Sequence, residues 1–79
     1  LNAGFLAVNA PGAKALDVFA AEKGLDGSRK RIGGEYAATL NKAFNAGSYH
    51  VVASGEGNAV IAEKDVVVTA GQRTEVTLP

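Results

Sequence analysis

The sequence contains no cysteine, no methionine, no tryptophan and a single histidine. The lack of cysteine excludes a disulfide, and one histidine excludes a histidine-rich metal cluster. Eight acidic and eight basic side chains give a formal net charge of zero, which removes the electrostatic drive toward nucleic acid or an anionic membrane. No apolar run approaches the ~20 residues of a membrane-spanning helix. Stability must therefore come from apolar burial and strand pairing.

The apolar residues are mainly alanine and valine, which suit a thin, regular core between two facing sheets. Glycine, asparagine, aspartate, serine and proline fall in clusters that divide the chain into segments of strand length. About seven segments at the ~8–12-residue spacing of a sandwich or barrel predict an all-β fold. The predicted strands are residues 4–9, 15–22, 29–32, 35–44 and 48–54, a long strand at 59–69 broken near Glu63–Asp65, and a last strand with Thr74, Val76 and Leu78 facing inward.

Residues 48–54 show the cleanest alternation of apolar and polar side chains. It places Tyr49, Val51 and Ala53 on one side of a strand, and Ser48, His50, Val52 and Ser54 on the other. Glycine-rich turns flank the strands: a hairpin tip at Asp26-Gly27, a stop at Gly33-Gly34 and a hairpin loop at residues 55–58. Tyr49 opens its strand with a ring to bury and a hydroxyl that can reach a nearby backbone group.

Two segments also fit a helix. Residues 13–23 hold good helix formers, but Asp17-Val18-Phe19 interrupts a helical stripe, and we favour a strand there. Residues 35–44 could form three helical turns. As a strand, this segment would place Tyr36, Ala38, Leu40 and Phe44 on one face.

Three stretches of the chain resemble a known family of modules. Residues 45–53 (Asn-Ala-Gly-Ser-Tyr-His-Val-Val-Ala) and residues 66–78 (Val-Val-Val-Thr-Ala-Gly-Gln-Arg-Thr-Glu-Val-Thr-Leu) are similar to the strand opening and the ending of carboxypeptidase-regulatory-like, or prealbumin-like, sandwiches. Residues 12–19, followed by residues 26–30, resemble repeats in large bacterial proteins that carry von Willebrand factor A domains and are named after calcium-activated chloride channels.

This resemblance implies a seven-stranded Greek-key sandwich of the prealbumin-like type. It also implies a unit of a tandem array in an exported protein, located in the periplasm, on the cell surface or in the medium. The pattern carries no catalytic residues to transfer. The opening Leu1–Gly4 resembles the junction after a preceding strand, so we expect residues 1–79 to be one module of a larger protein.

Enzyme chemistry would have to involve His50, with Ser48 or Ser54 on the same face of the strand. No nucleophile-elbow motif accompanies these residues, and an exposed strand histidine explains the pattern better. The residue groups Asp26–Ser28 and Glu56–Asn58 each offer too few oxygens for a calcium loop, and turn chemistry explains both.

The basic cluster Arg29-Lys30-Arg31, with Lys23 nearby, has no interleaved aromatics for base stacking. Alternation on a strand would put Arg29 and Arg31 on one face and Lys30 on the other, where they discourage edge-to-edge sheet pairing. The loops Gly24–Gly27 and Gly55–Gly57 lack the Lys-Ser/Thr end of a phosphate loop and are interpreted as hairpins.

We therefore predict a non-catalytic structural or interaction module, with no catalytic, cofactor-binding or metal residues and no cofactor. We expect it to contact neighbouring domains of the same chain. We expect it neither to bind nucleic acid nor to insert directly into a membrane. The alternative is a sandwich that binds a carbohydrate or protein ligand. That alternative is weakened by the expectation that the core needs most of the five aromatics (Phe5, Phe19, Tyr36, Phe44 and Tyr49).

Overall fold

The computed structural model describes residues 2–78, apart from the side chain of Lys23. Leu1, named in the junction above, lies outside the described residues. The side chain of Lys23, named in the basic cluster, does so as well. The described chain is nearly all β, as predicted, and its only helical segment is a short 3-10 turn at Glu56–Asn58. The seven strands are β1 (Ala3–Asn9), β2 (Ala15–Lys23), β3 (Arg29–Glu35), β4 (Thr39–Asn45), β5 (Gly47–Ser54), β6 (Val60–Val68) and β7 (Arg73–Thr77).

The strands form two sheets. One has three strands in the order β4-β1-β7, and the other has four in the order β3-β2-β5-β6. All neighbouring strands are antiparallel except β1 and β7, which run parallel, with Phe5 beside Arg73 and Asn9 beside Thr77. Parallel neighbours cannot be joined by a tight hairpin, so the whole chain between them forms the connection.

The apolar side chains of both sheets form a single buried core. In β1, β4 and β5 the buried residues alternate with more exposed ones, as the period-two pattern predicts, whereas β3 has no buried residue. Leu6, Leu16, Leu40, Leu78, Val18, Val51 and Val68 are the largest side chains with almost no solvent exposure. Tyr49, Val51 and Ala53 are buried together on the inner side of β5, which confirms the prediction for that strand. The two sheets are therefore held together by apolar burial.

Two glycines meet requirements that no other residue would satisfy as well. Gly71 turns the chain before β7 with a φ of 74°, a conformation that is cheap only for glycine. Gly4 is buried in β1, and a Cβ added there would collide with the backbone oxygen of Thr69 and lie 2.8 Å from Cγ1 of Val68. The absence of a side chain at Gly4 thus lets the end of β6 approach β1.

The predicted strand 35–44 is wrong in its first part. Gly33-Gly34 does not stop a strand but lies within β3, and residues 36–38 form the bend before β4. A Cβ at Gly34 would lie 2.5 Å from the backbone oxygen of Leu16, so glycine is what allows β3 to pair closely there. Tyr36, expected on an inward face, is 94% exposed in this bend.

The predicted break in the long strand 59–69 is also wrong. β6 continues without interruption through Glu63, Lys64 and Asp65, because β5 pairs with it along its length. The helical alternatives for 13–23 and 35–44 are excluded, since both segments contribute strands.

Candidate functional site

The outer face of the four-stranded sheet carries a row of side chains, both polar and apolar, that crosses three strands. Phe19 of β2 lies opposite His50 of β5, and His50 lies opposite Asp65 of β6. In the neighbouring row, Val52 lies opposite Glu63. Because directly opposite residues in antiparallel strands share a face, these side chains meet on the surface away from the core.

His50 is held between two carboxylates. Its Nδ1 lies 2.7 Å from Oδ1 of Asp65, and its Nε2 lies 2.7 Å from Oε1 of Glu63. The imidazolium form can donate both hydrogen bonds, whereas the neutral ring could donate only one of them. His50 lies on the polar-facing side of β5, as predicted, but the expectation of an exposed histidine is wrong, because its side chain is only 11% exposed.

The contact with His50 changes the acidity of Asp65. The hydrogen bond from His50 lowers the pKa of the Asp65 carboxyl below its usual value, and slight desolvation opposes this effect. Positive charge on His50 and Arg29 lowers the pKa of Asp65 further. The ionised carboxylate is therefore the form that the outer face favours.

The structure does not bring the two candidate serines into hydrogen-bond contact with His50. Both ring nitrogens face carboxylates instead, so neither is free to accept a proton from a serine hydroxyl. Ser48 is exposed on the same strand, and Ser54 is buried at the strand's end. The nucleophile–base pair considered for Ser48 or Ser54 is not formed among the described residues.

The carboxylates of Glu63 and Asp65 approach opposite edges of the imidazole, so the three side chains do not converge on one point. Within residues 2–78, no group of three histidine or acidic side chains is arranged to hold a metal ion.

Of the two acidic turn residues, Asp26 makes a turn contact with its side chain, as interpreted from the sequence, whereas Glu56 pairs with a distant lysine. Oδ1 of Asp26 accepts hydrogen bonds from the backbone N–H and the hydroxyl of Ser28, at 3.1 and 2.8 Å. These bonds lower the pKa of the Asp26 carboxyl. Glu56 lies 3.7 Å from the ammonium of Lys14 in an exposed ion pair.

The basic residues of β3 have separate partners. Nε of Arg29 donates to the backbone oxygen of Ala21 at 3.2 Å, and Nε of Arg31 lies 3.0 Å from Oδ1 of Asp17. Lys30 is exposed. The expected split of the basic cluster over two faces is consistent with Arg31 lying opposite Phe19 on the outer face.

An open cleft of about 400 Å³ lies on the outer face, and we call it the outer cleft. Its lining consists of Phe19, Gly27, Ser28, Arg29, His50, Val52 and Glu63. The floor comes from β2, β5 and β6, and the rim comes from the tip of the β2–β3 hairpin. Irregular register between Phe19 and Lys23 accompanies the approach of this tip to the face of its own sheet.

Sequence reasoning missed Glu63 and Asp65 as partners of His50, and it missed the place of Phe19. No usable signal existed for the carboxylates, because the register shift between Ala53 and Ser54 moves β6 by one residue: without it the loop at residues 55–58 would pair position 50 with position 64. Phe19 was expected to serve the core, yet it is half-buried on the outer face, one residue out of step with buried Val18.

No protein-family model matches this chain, and neither a curated protein sequence nor a solved structure matches it. Among the described residues, none of the helical structure is long and apolar enough to cross a membrane.

Proposed function

We propose that this chain is a non-catalytic structural module of a larger exported or cell-envelope protein, which spaces or presents the domains beside it. The observation that carries the proposal is the parallel pairing of β1 with β7. The chain enters the three-stranded sheet at one end and leaves it at the other, after a strand length of about 23 Å for seven residues. Modules with this geometry can follow one another in line.

The burial pattern supports the same role. The side chains that are almost fully enclosed are leucines and valines shared by both sheets, so the interior is devoted to holding the module together. A spacer needs a rigid body of this kind, because a loosely packed unit would not hold its neighbours at a fixed distance.

The finer classification as a Greek-key, prealbumin-like sandwich is part of the proposal. The β4–β5 connection passes from one sheet to the other, and Tyr49 follows that corner immediately. The hydroxyl of Tyr49 donates a hydrogen bond to the backbone oxygen of Asn45, four residues earlier. A tyrosine that ties a corner between sheets in this way is a feature of Greek-key sandwiches. The resemblance of residues 45–53 and 66–78 to such modules supports the same classification.

The outer cleft favours a second role, in which the module binds a carbohydrate or protein ligand. Concave surfaces with an apolar floor and a few polar side chains are the usual form of ligand sites. This role is compatible with spacing, because the outer face of the sheet and the chain ends are different parts of the molecule.

The spacer proposal can be tested with one, two and three copies of residues 1–79 joined in tandem. We expect the maximum dimension from small-angle X-ray scattering to grow by a roughly constant step with each added copy, since entry and exit lie at opposite ends. A three-copy chain as compact as a single globule of the same mass would contradict the proposal. Thermal unfolding of each chain provides the control that every copy is folded.

A further inference from the structure

We propose that the outer cleft binds a neutral saccharide. This inference rests on the second of the two proposed roles, and the spacer role does not depend on it. The site comprises Phe19 and Val52 as its floor, Arg29 and Glu63 as its polar walls, and the hairpin tip as its rim.

The floor offers an apolar surface at the centre of a polar sheet face. Phe19 and Val52 are both half-buried, so each shows part of its side chain to the cleft. The ring of a sugar presents a flat face of C–H groups that can pack on such a surface, and burial of this face removes apolar area from water. The cleft is open to solvent and has a volume of about 400 Å³, so a saccharide would lie against its floor rather than be enclosed by it.

The walls offer a donor and an acceptor on the two sides of this floor. The Nε–H of Arg29 is bound to Ala21, and no hydrogen bond within the described residues engages its terminal nitrogens. Oε1 of Glu63 is close to His50, and the other oxygen of this 56% exposed carboxylate has no hydrogen-bond partner among residues 2–78. A hydroxyl both donates and accepts, so neighbouring sugar hydroxyls suit a guanidinium on one side and a carboxylate on the other.

The charges favour a neutral ligand over an anion or a cation. Arg29 is positive and Glu63 is negative, and His50 is bonded to Glu63 and to Asp65 in the same patch. A charged ligand would meet a like charge within the cleft wherever it met an opposite one, whereas hydroxyl groups meet partners of either kind.

Two residues that line the cleft, Ser28 at the rim and His50, are held by hydrogen bonds within the protein. Asp26 holds Ser28 through two hydrogen bonds, and His50 is locked by its two carboxylates. Because these groups lose little freedom on binding, their ordering costs little affinity.

The test is a titration of the ¹⁵N-labelled chain with cellobiose, maltose, lactose and N,N′-diacetylchitobiose, followed by two-dimensional NMR. We expect at least one disaccharide to cause saturable shifts at Phe19, Arg29, His50 and Val52, with a dissociation constant near ~1 mM. Absence of saturable shifts for all four up to about 20 mM, where a ~1 mM site would be almost full, would overturn the proposal.

Two variants locate the binding. Phe19→Leu keeps an apolar floor without the ring, and Glu63→Gln removes the charge of the wall; we expect each to weaken binding at least tenfold, or about 1.4 kcal/mol. The matched control is Tyr36→Ala, which removes the 94% exposed ring outside the cleft and should leave the dissociation constant unchanged. If Tyr36→Ala abolishes binding, or if both cleft variants retain it, the assignment is wrong.

These outcomes are separate from those of the tandem-copy experiment. A chain that extends stepwise but binds no disaccharide would overturn the saccharide site alone. A chain that binds at the outer cleft but collapses as tandem copies would overturn the spacer role alone.

Discussion

The two faces of the four-stranded sheet are stabilised by different kinds of interaction. On the inner face, Leu16, Val18 and Val51 are fully enclosed and make apolar contacts. On the outer face, His50 is linked to Glu63 and Asp65 by short hydrogen bonds. The same strands, β2, β5 and β6, supply both faces, because successive residues point to opposite sides.

This comparison indicates how the molecule divides its tasks. Apolar burial is roughly proportional to the area removed from water, so the inner face supplies most of the free energy of folding. The carboxylates of Glu63 and Asp65 are exposed, and water screens exposed charges, so the outer face can vary these two charges with little effect on the fold. A binding role on the outer face would therefore be tolerated by the scaffold beneath it.

The largest effect is expected from the inner face. Leu16→Ala should lower the free energy of unfolding by about 2–5 kcal/mol, because it removes a fully enclosed side chain and leaves a cavity. Val67→Ala, on the outer side of the same sheet and 61% exposed, should change it by less than about 0.5 kcal/mol. Urea unfolding of both variants measures the difference. Equal losses would abolish the distinction between the faces.

The next effect tests the close approach between the two sheets. Gly4→Ala should cost about 1–3 kcal/mol, because the added methyl group collides with the backbone of Thr69. Gly33→Ala is a matched control, since its Cβ would meet only the ring of Phe44 at an ordinary 3.6 Å. Thermal unfolding should separate the two variants, and a Gly4→Ala protein as stable as Gly33→Ala would show that the sheets can separate without cost.

A smaller effect is expected at the corner between the sheets. Tyr49→Phe keeps the buried ring but loses the hydrogen bond to the backbone oxygen of Asn45, which should cost about 1 kcal/mol. Tyr36→Phe removes the same hydroxyl from an exposed ring and should leave stability unchanged. If chemical denaturation gives identical midpoints for both variants, the corner bond contributes nothing.

The smallest effect concerns the outer face and appears as a pH dependence. The pKa of Asp65 is lowered in the folded chain, so its contribution to stability is present above about pH 4 and is lost as the pH falls through the lowered value. Asp65→Asn should therefore flatten the loss of stability below about pH 4.

Glu22→Gln provides the control for that pH profile, because Glu22 is exposed and makes no hydrogen bond in the part of the chain described. The free energy of unfolding of Glu22→Gln, from urea titrations at each pH, should fall with acid as it does in the unmodified protein. If Asp65→Asn shows the same fall, the His50–Asp65 contact does not contribute to stability.

Much of the fold follows from local patterns. The strand at residues 48–54 was predictable because Tyr49 and Val51 alternate with polar residues, and the strand at residues 4–9 because it is a short apolar run that ends at a turn with Pro11 and Gly12. The prediction that Gly33-Gly34 stops a strand was wrong. A glycine pair is common in turns, whereas here Gly34 allows the close pairing of β3 with β2. The parallel pairing of β1 with β7 leaves no local signal, since the two strands lie at opposite ends of the chain.

The site was less predictable than the fold. Alternation alone placed His50 on the polar side of β5, but its partners depend on the register of β6. The outer cleft depends on where the hairpin tip lies, and the irregular pairing between Phe19 and Lys23 decides that. Such an irregularity reflects packing between distant segments, so the sequence of the hairpin alone does not reveal it.

The central claim is that the chain enters and leaves the module at opposite ends because β1 and β7 are parallel. The sequence has no cysteine, so Asn2→Cys and Thr77→Cys give two unique sites for spin labels. Thr77 lies beside Asn9, and the seven residue steps from Asn2 to Asn9 predict that the backbones at positions 2 and 77 are about 23 Å apart. Pulsed electron–electron double resonance should find a narrow distance distribution near this value. Strong dipolar broadening of the continuous-wave spectrum, the sign of labels on directly paired strands ~5 Å apart, would contradict the claim.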